Sequence, residues 1–211
     1  MKFQTGEKIL FIGDSITEDG RFRDEAGLGE GYVRRIHDYF TLRHPELHLQ
    51  MMNKGVSGDR VIDLKERWEK DVIDGKPDWL SVSIGVNDVC RQLDQPQIEQ
   101  ITPAAFMDEY RDLLKIVKEK TNAKLIILEP TVIQEDANSE GNLLLKEYIA
   151  ITRMLSKEFE AIHIPMHDRF IEYIRENPNN KLTTDGIHMN SLGRMLMTLI
   201  WLESMGLVDR L

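Results

Sequence analysis

Residues 8–17 read Lys8-Ile9-Leu10-Phe11-Ile12-Gly13-Asp14-Ser15-Ile16-Thr17. A short apolar run stops at a glycine and passes straight into polar residues. Such a run, bounded by a turn signal, suits a strand buried on both faces. Four more follow, at 47–52, 79–84, 124–128 and 161–165. Between them the apolar residues recur at helical spacing, over about 31–43, 61–73, 103–120 and 142–159. Val61, Leu64, Trp68 and Val72 form one such face, and Phe106, Tyr110, Leu113 and Val117 another. A last helix is expected over 191–205. Pro77 and Pro130 punctuate the pattern.

Strands of this character joined by helical crossovers predict an α/β fold with a five-stranded parallel sheet. Right-handed crossovers make it a three-layer α/β/α sandwich. No repeat, low-complexity segment or linker-like shift in composition interrupts residues 1–211, so one domain is expected. The longest irregular stretches are 13–30, 85–102, 130–141 and 177–190. Three of them leave the carboxyl ends of predicted strands, where open α/β sheets place their ligands.

The chain has 211 residues, with 41% hydrophobic and 30% charged. A chain of this length buries about 70% of its unfolded surface, so it needs no covalent staples. Asp and Glu number 36 against 27 Lys and Arg, a net charge of −9. Phosphate backbones and anionic lipid repel such a surface, which argues against nucleic-acid and membrane partners. Cys90 is the one cysteine, so an internal disulfide and a cysteine-based metal cluster are both excluded. The apolar run at 9–12 is too short for a signal-peptide core, and no stretch approaches the ~20 apolar residues of a membrane span. A cytoplasmic location is expected.

Four polar clusters carry chemistry. Ser15 follows the first strand; with a base to take its proton it is a nucleophile, and without one it caps a helical turn. Asp185-Gly186-Ile187-His188 precedes the last helix. A carboxylate three residues before a histidine can hold one ring nitrogen and leave the other free as a base; the same pair can merely stabilise a loop. Asn53–Asp59 (53–59) contains Gly55 and Gly58 after the second strand, and read alone it is an ordinary loop with Asp59 as a helix cap. Gly85-Val86-Asn87-Asp88 follows the third strand. Its Asn amide is a neutral donor suited to a developing oxyanion, or part of an Asn-Asp turn. Of the other histidines, His163 lies in an apolar run, His37 in a helix, and His44 and His48 flank the second strand. His167 beside Asp168 is a weaker rival base. The clusters would converge on one end of the sheet, which unrelated caps and turns need not do.

Together these residues resemble the GDSL, or SGNH, hydrolase family. The blocks Gly13-Asp14-Ser15, Gly58 within 53–59, Gly85-Val86-Asn87-Asp88 and Asp185-Gly186-Ile187-His188 stand in the family's order over nearly the whole chain. The resemblance implies a flavodoxin-like fold and ester hydrolysis through an acyl-enzyme. It assigns Ser15 as nucleophile, His188 as base and Asp185 as its orienting partner. It assigns the N–H groups of Ser15 and Gly58 and the side chain of Asn87 to the oxyanion hole. No metal and no organic cofactor are implied; the partner is a small-molecule ester, and a homo-oligomer is compatible with the resemblance. The stretches Gly29-Glu30-Gly31-Tyr32-Val33, Lys65-Glu66-Arg67-Trp68, Lys76-Pro77-Asp78-Trp79 and Val86-Asn87-Asp88-Val89 look like the small bacterial acetylxylan esterase branch. This implies removal of short acyl groups, acetyl above all, from carbohydrate such as xylo-oligosaccharides. Cys90 before Arg91, and Met189 after His188, depart from that branch.

A thioesterase or lysophospholipase of the same family would share the triad and differ in its pocket. Trp68, Trp79, Trp201 and Tyr32 can serve a sugar-facing wall or the core, and their apolar neighbours favour the core for Trp68 and Trp79. A nucleotide- or sugar-binding module is the non-enzymatic alternative. It is disfavoured because no phosphate-loop motif is present and Gly27-x-Gly29-x-Gly31 does not directly follow a predicted strand.

Overall fold

The computed structural model describes residues 3–210. Its centre is a five-stranded, all-parallel sheet ordered β2-β1-β3-β4-β5. The strands are β1 (Lys8–Gly13), β2 (Gln50–Gly55), β3 (Trp79–Ser83), β4 (Lys124–Leu128) and β5 (Ile162–Ile164). In register, Gly13 lies beside Gly55 and Ser83, Ser83 beside Leu128, and Leu128 beside Ile164. The carboxyl ends are therefore level, and the loops that leave them open on one rim. The chain moves one way from β1 to β2 and the other way from β2 through β5. The strand order reverses beside β1, which puts a crevice at that rim between the loops after β1 and β3.

The helices are α1 (Ser15–Glu18), α2 (Tyr32–Arg43), α3 (Val61–Trp68), α4 (Val86–Asp94), α5 (Pro103–Lys120), α6 (Glu140–Glu158), α7 (Met166–Glu176) and α8 (Ser191–Ser204). Right-handed crossovers put α2 on one face of the sheet and α3, α5 and α6 on the other. α2 packs on α8, and α5 lies between α3 and α6. On the α2/α8 face Phe11 sits edge-on to Tyr32, ring centroids 5.9 Å apart, and tilted against Trp201 at 5.8 Å. Three of the longer helices have side-chain caps at their starts. Thr102 Oγ1 accepts from the Ala105 N–H with Pro103 at the first helical position, Ser139 Oγ accepts from the Asn142 N–H, and Asn190 Oδ1 accepts from Leu192 and Gly193.

Several elements differ from expectation. β2 begins three residues later than the apolar run at 47–52. Pro45–Leu47 forms a 3₁₀ turn, His48 takes a left-handed φ of 46°, and pairing with β1 then sets the strand. β2 is an edge strand, so its burial is incomplete and apolar content marks it poorly. The helix expected to Ile73 is α-helical to Trp68, then opens into a wider π turn over Glu69–Ile73. α4 lies in a stretch read as irregular, and it buries Val86, Val89 and Cys90 at helical spacing. α7 was not expected at all; it starts straight after Pro165 and buries Met166, Phe170 and Ile171.

Candidate active site

β1 ends at Gly13, where no side chain fits. A Cβ would stand 2.2 Å from the Ser83 carbonyl oxygen and 2.6 Å from Thr17 Oγ1. Asp14 then turns the chain into α1: it is the N-cap, and its Oδ1 accepts from the Ile16 N–H at 2.9 Å. Ser15 becomes the first residue of a helical turn on the rim. Ser15 is therefore not the cap of this turn; Asp14 is, and the capped turn places the serine hydroxyl on the rim. Burial pushes the Asp14 carboxyl up to about 7, against the Ile16 hydrogen bond that lowers it.

His188 arrives from the loop before α8. The loop is closed on itself: the Thr184 N–H donates to the His188 carbonyl at 2.8 Å, and the Asn190 N–H to the Leu182 carbonyl at 2.9 Å. Asp185 Oδ1 accepts from the N–H groups of Ile187 and His188 at 3.0 and 2.8 Å. Its Oδ2 lies 2.7 Å from His188 Nδ1, and His188 Nε2 lies 2.9 Å from Ser15 Oγ. Desolvation works to raise the Asp185 carboxyl, but the His188 ring and the two backbone donors hold it down at about 2. It is a carboxylate at any working pH, which favours a proton on Nδ1 and a lone pair on Nε2 facing the serine. On the other side, Arg194 of α8 donates to Asp19 at 2.6 Å, tying the base's helix to the end of α1.

The remaining clusters meet the same rim. Gly58 has a φ of +89°, a conformation that glycine adopts freely. Neither its N–H nor that of Ser15 has an acceptor among the described residues. Asn87 sits in the first turn of α4, and its Nδ2 donates to the Asp59 carbonyl at 3.1 Å, which aims the amide and leaves its second hydrogen available. Gly85-Val86-Asn87-Asp88 is therefore a helix start and not an Asn-Asp turn. Asp59 is not the cap of α3 either. The residue at that position is Arg60, and the first N–H of the helix, Val61, goes to the buried Asp88 carboxylate at 3.1 Å. Asp59 instead accepts from Arg67 at 2.7 Å.

Two residues of this framework stand in motifs quoted from the sequence, which gives no sign of what they do. Asp88 joins α4 to the start of α3, so it holds Asn87 and the Gly58 loop together. Burial pushes its carboxyl up to about 7 despite the Val61 hydrogen bond. Arg67 donates to Asp59, to Asp71 at 2.8 Å, and to the Lys54 and Gly13 carbonyls at 2.7 and 3.2 Å. One guanidinium thus fastens the ends of β1 and β2 to the loop carrying Gly58.

The rival histidine is elsewhere. His167 is buried, its Nδ1 lies 2.5 Å from the Thr131 carbonyl, and Asp168 pairs with Arg153 instead. His163 lies 3.2 Å from the buried Glu129, a structural contact. Tyr32, Trp68, Trp79 and Trp201 are all buried, so none of them offers a sugar-facing wall. The Cys90 thiol is buried as well, and desolvation pushes it up to about 12. Arg91 faces the site: its Nη2 is 4.0 Å from where a Cβ on Gly58 would stand.

A serine, an imidazole and a carboxylate in hydrogen-bonded series, beside a set of unused donors, suit acyl transfer. A model of the GDSL-like lipase/acylhydrolase family matches residues 11–196. The chain belongs to that family. It is 35% identical to an acetylxylan esterase of Geobacillus stearothermophilus, covering 98% of this chain and 97% of that one. The crystal structure of Axe2, an acetylxylan esterase from the same organism, superposes with a TM-score of 0.90 at 32% identity over the full length of both chains. LAE5, an alpha/beta hydrolase enzyme from the metagenome of Lake Arreo, superposes at 0.91 with 28% identity over 99% of both. This GDSL protein is accordingly a carboxylic ester hydrolase, with the family's α/β sheet. No helix among its described residues is long and apolar enough to cross a membrane.

Proposed function

We propose that this GDSL esterase removes acetyl groups from xylo-oligosaccharides, with Ser15 as nucleophile, His188 as base and Asp185 as its orienting carboxylate. The observation that carries the reading is the unbroken series from Ser15 Oγ to Nε2 at 2.9 Å and from Nδ1 to Asp185 at 2.7 Å. Ser15 Oγ attacks the ester carbonyl while His188 Nε2 takes its proton. Charge then gathers on the carbonyl oxygen, within reach of the N–H groups of Ser15 and Gly58 and the Asn87 amide. The imidazolium is stabilised by Asp185 and returns its proton to the leaving sugar hydroxyl. Water repeats the path on the acyl-serine and frees acetate.

Half of the His188 and Asp185 side-chain surface is open to solvent. An open base admits water for deacylation and a bulky alcohol on the leaving side. The acetyl preference itself is supported by the acetylxylan esterase relatives. One contiguous apolar core running from Phe3 to Met205 supports a single domain.

The test is hydrolysis of p-nitrophenyl esters from acetate to octanoate, then of acetylated xylo-oligosaccharides, with Ser15→Ala alongside. Best turnover on acetate, acetate release from the oligosaccharides and an inactive Ser15→Ala are expected. A preference for octanoate would move the substrate to lipid or thioester, and an active Ser15→Ala would remove the nucleophile assignment.

A further inference from the structure

The loop that carries the base is closed on itself by hydrogen bonds, but these do not tie it to the rest of the fold. Asp185 and His188 are both exposed, and the loop follows a polar stretch, 177–181. Its position depends on a neighbour, the loop between β4 and α6. Glu135 stands at the junction. Its Oε1 accepts from the Leu182 N–H at 3.1 Å, from the Thr183 N–H at 2.8 Å and from the Thr183 hydroxyl. That hydroxyl accepts in turn from the Gly186 N–H at 3.1 Å. Gly186 is bracketed by Asp185 and Ile187, so the chain of bonds ends beside the triad carboxylate. Next to it the Gln134 N–H donates to the Gly186 carbonyl at 2.7 Å.

The supporting loop is itself fixed. Asn142 of α6 is buried; its Oδ1 accepts from the Ile133 N–H at 2.9 Å, and its Nδ2 donates to the Gln134 and Asp136 carbonyls at 3.1 and 2.7 Å. Ser139 adds a bond from its hydroxyl to the Ile133 carbonyl at 2.7 Å. Glu135 is thus a fixed acceptor on a scaffold held by α6, and Thr183 and Gly186 are the parts it holds. Desolvation acts to raise its carboxyl, and the bonds from Thr183 and Leu182 outweigh that and lower it. It stays an acceptor throughout the working pH range.

We infer that Glu135 is a positioning residue for the base: through Thr183 and Gly186 it sets the Asp185–His188 pair at hydrogen-bonding distance from Ser15. The inference rests on the triad reading above. Removing a side chain that only strengthened the fold would lower stability and leave the geometry of the folded enzyme alone. Glu135 acts on where His188 Nε2 stands, and a displacement of about 1 Å in a reacting group costs on the order of 10²-fold in rate.

The experiment compares wild type, Glu135→Ala, Glu135→Gln and His188→Ala on p-nitrophenyl acetate, with each protein shown to be folded at the assay temperature by circular dichroism. Glu135→Ala is expected to lose roughly 10- to 100-fold in kcat, with KM within about threefold, because substrate contacts are untouched. Glu135→Gln keeps an acceptor at Oε1 and is expected to recover most of that loss. The low-field proton resonance of His188 Nδ1–H, sharp in wild type, is expected to broaden or vanish in Glu135→Ala and persist in Glu135→Gln. Thr183→Val, nearly isosteric, removes the hydroxyl link and is expected to repeat the kcat loss, should Glu135→Ala not fold. Wild-type kcat and resonance in Glu135→Ala or Thr183→Val, with His188→Ala inactive, would overturn the inference and leave the triad standing. Activity in His188→Ala would overturn both.

Discussion

Asp14 caps the turn that lifts Ser15 to the rim, and it does so while almost fully buried. Burial places its folded pKa near 7, above the ordinary value of 3.8. Between those limits the folded state binds a proton that the unfolded state has released. Stability from this group is therefore full below about pH 4 and falls as pH rises through 7. Asn caps helices as well as Asp and mimics the protonated form. Asp14→Asn is thus expected to gain on wild type in melting temperature between pH 5 and pH 8, and curves that stay parallel would contradict a buried, proton-binding Asp14. The residues proposed for the chemistry could be picked out in the sequence because chemistry restricts their type: a nucleophile, an imidazole with its carboxylate, an amide donor. Asp88 and Arg67 stand in motifs quoted from the sequence but their roles could not be read there, and Glu135 carried no signal. Their partners are mostly backbone groups tens of residues away, and a carbonyl or an N–H leaves no trace in composition.

Arg67 belongs to the scale of elements, because one side chain spans α3, β1, β2 and the loop between β2 and α3. Removing it leaves the Asp59 carboxylate without its cation and takes one donor each from the Lys54 and Gly13 carbonyls, while Asp71 keeps Lys54 at 3.3 Å. Breaking a buried pair in this way costs about 3–5 kcal/mol. Arg67→Ala is expected to lose stability of that order in urea denaturation, and to lose activity at temperatures where it remains folded, since Gly58 and Asn87 both depend on the Asp59 loop. A loss below about 1 kcal/mol, the scale of an exposed pair, would mean that the network is solvated. Among the elements themselves, β4 and α5 matched their expected limits. Lys124–Leu128 is a central strand ended by Pro130, and Pro103–Lys120 opens on a Thr-Pro cap. β2 slipped because an edge strand need not be apolar. α4 and α7 escaped because short helices that follow a strand at once read as parts of loops.

At the scale of the molecule, alternation of apolar runs and amphipathic stretches was enough to give a parallel sheet, and crossover handedness gave its layers. The convergence of the four clusters on one rim also follows from that pattern, since β1 and β3 are neighbours and their ends are level. The core is where the aromatics went: the tryptophans and Tyr32 stabilise the sandwich and do not line the site. What the fold delivers is a serine whose proton has a path to a held imidazole, open to water on one side. The most direct test of that claim is to mix the enzyme with p-nitrophenyl acetate, quench in acid and measure the masses of its peptides. One acetyl group on the peptide containing Ser15, absent from Ser15→Ala, is the predicted result. An acetyl group carried by another residue, with Ser15 unmodified under full turnover, would contradict it.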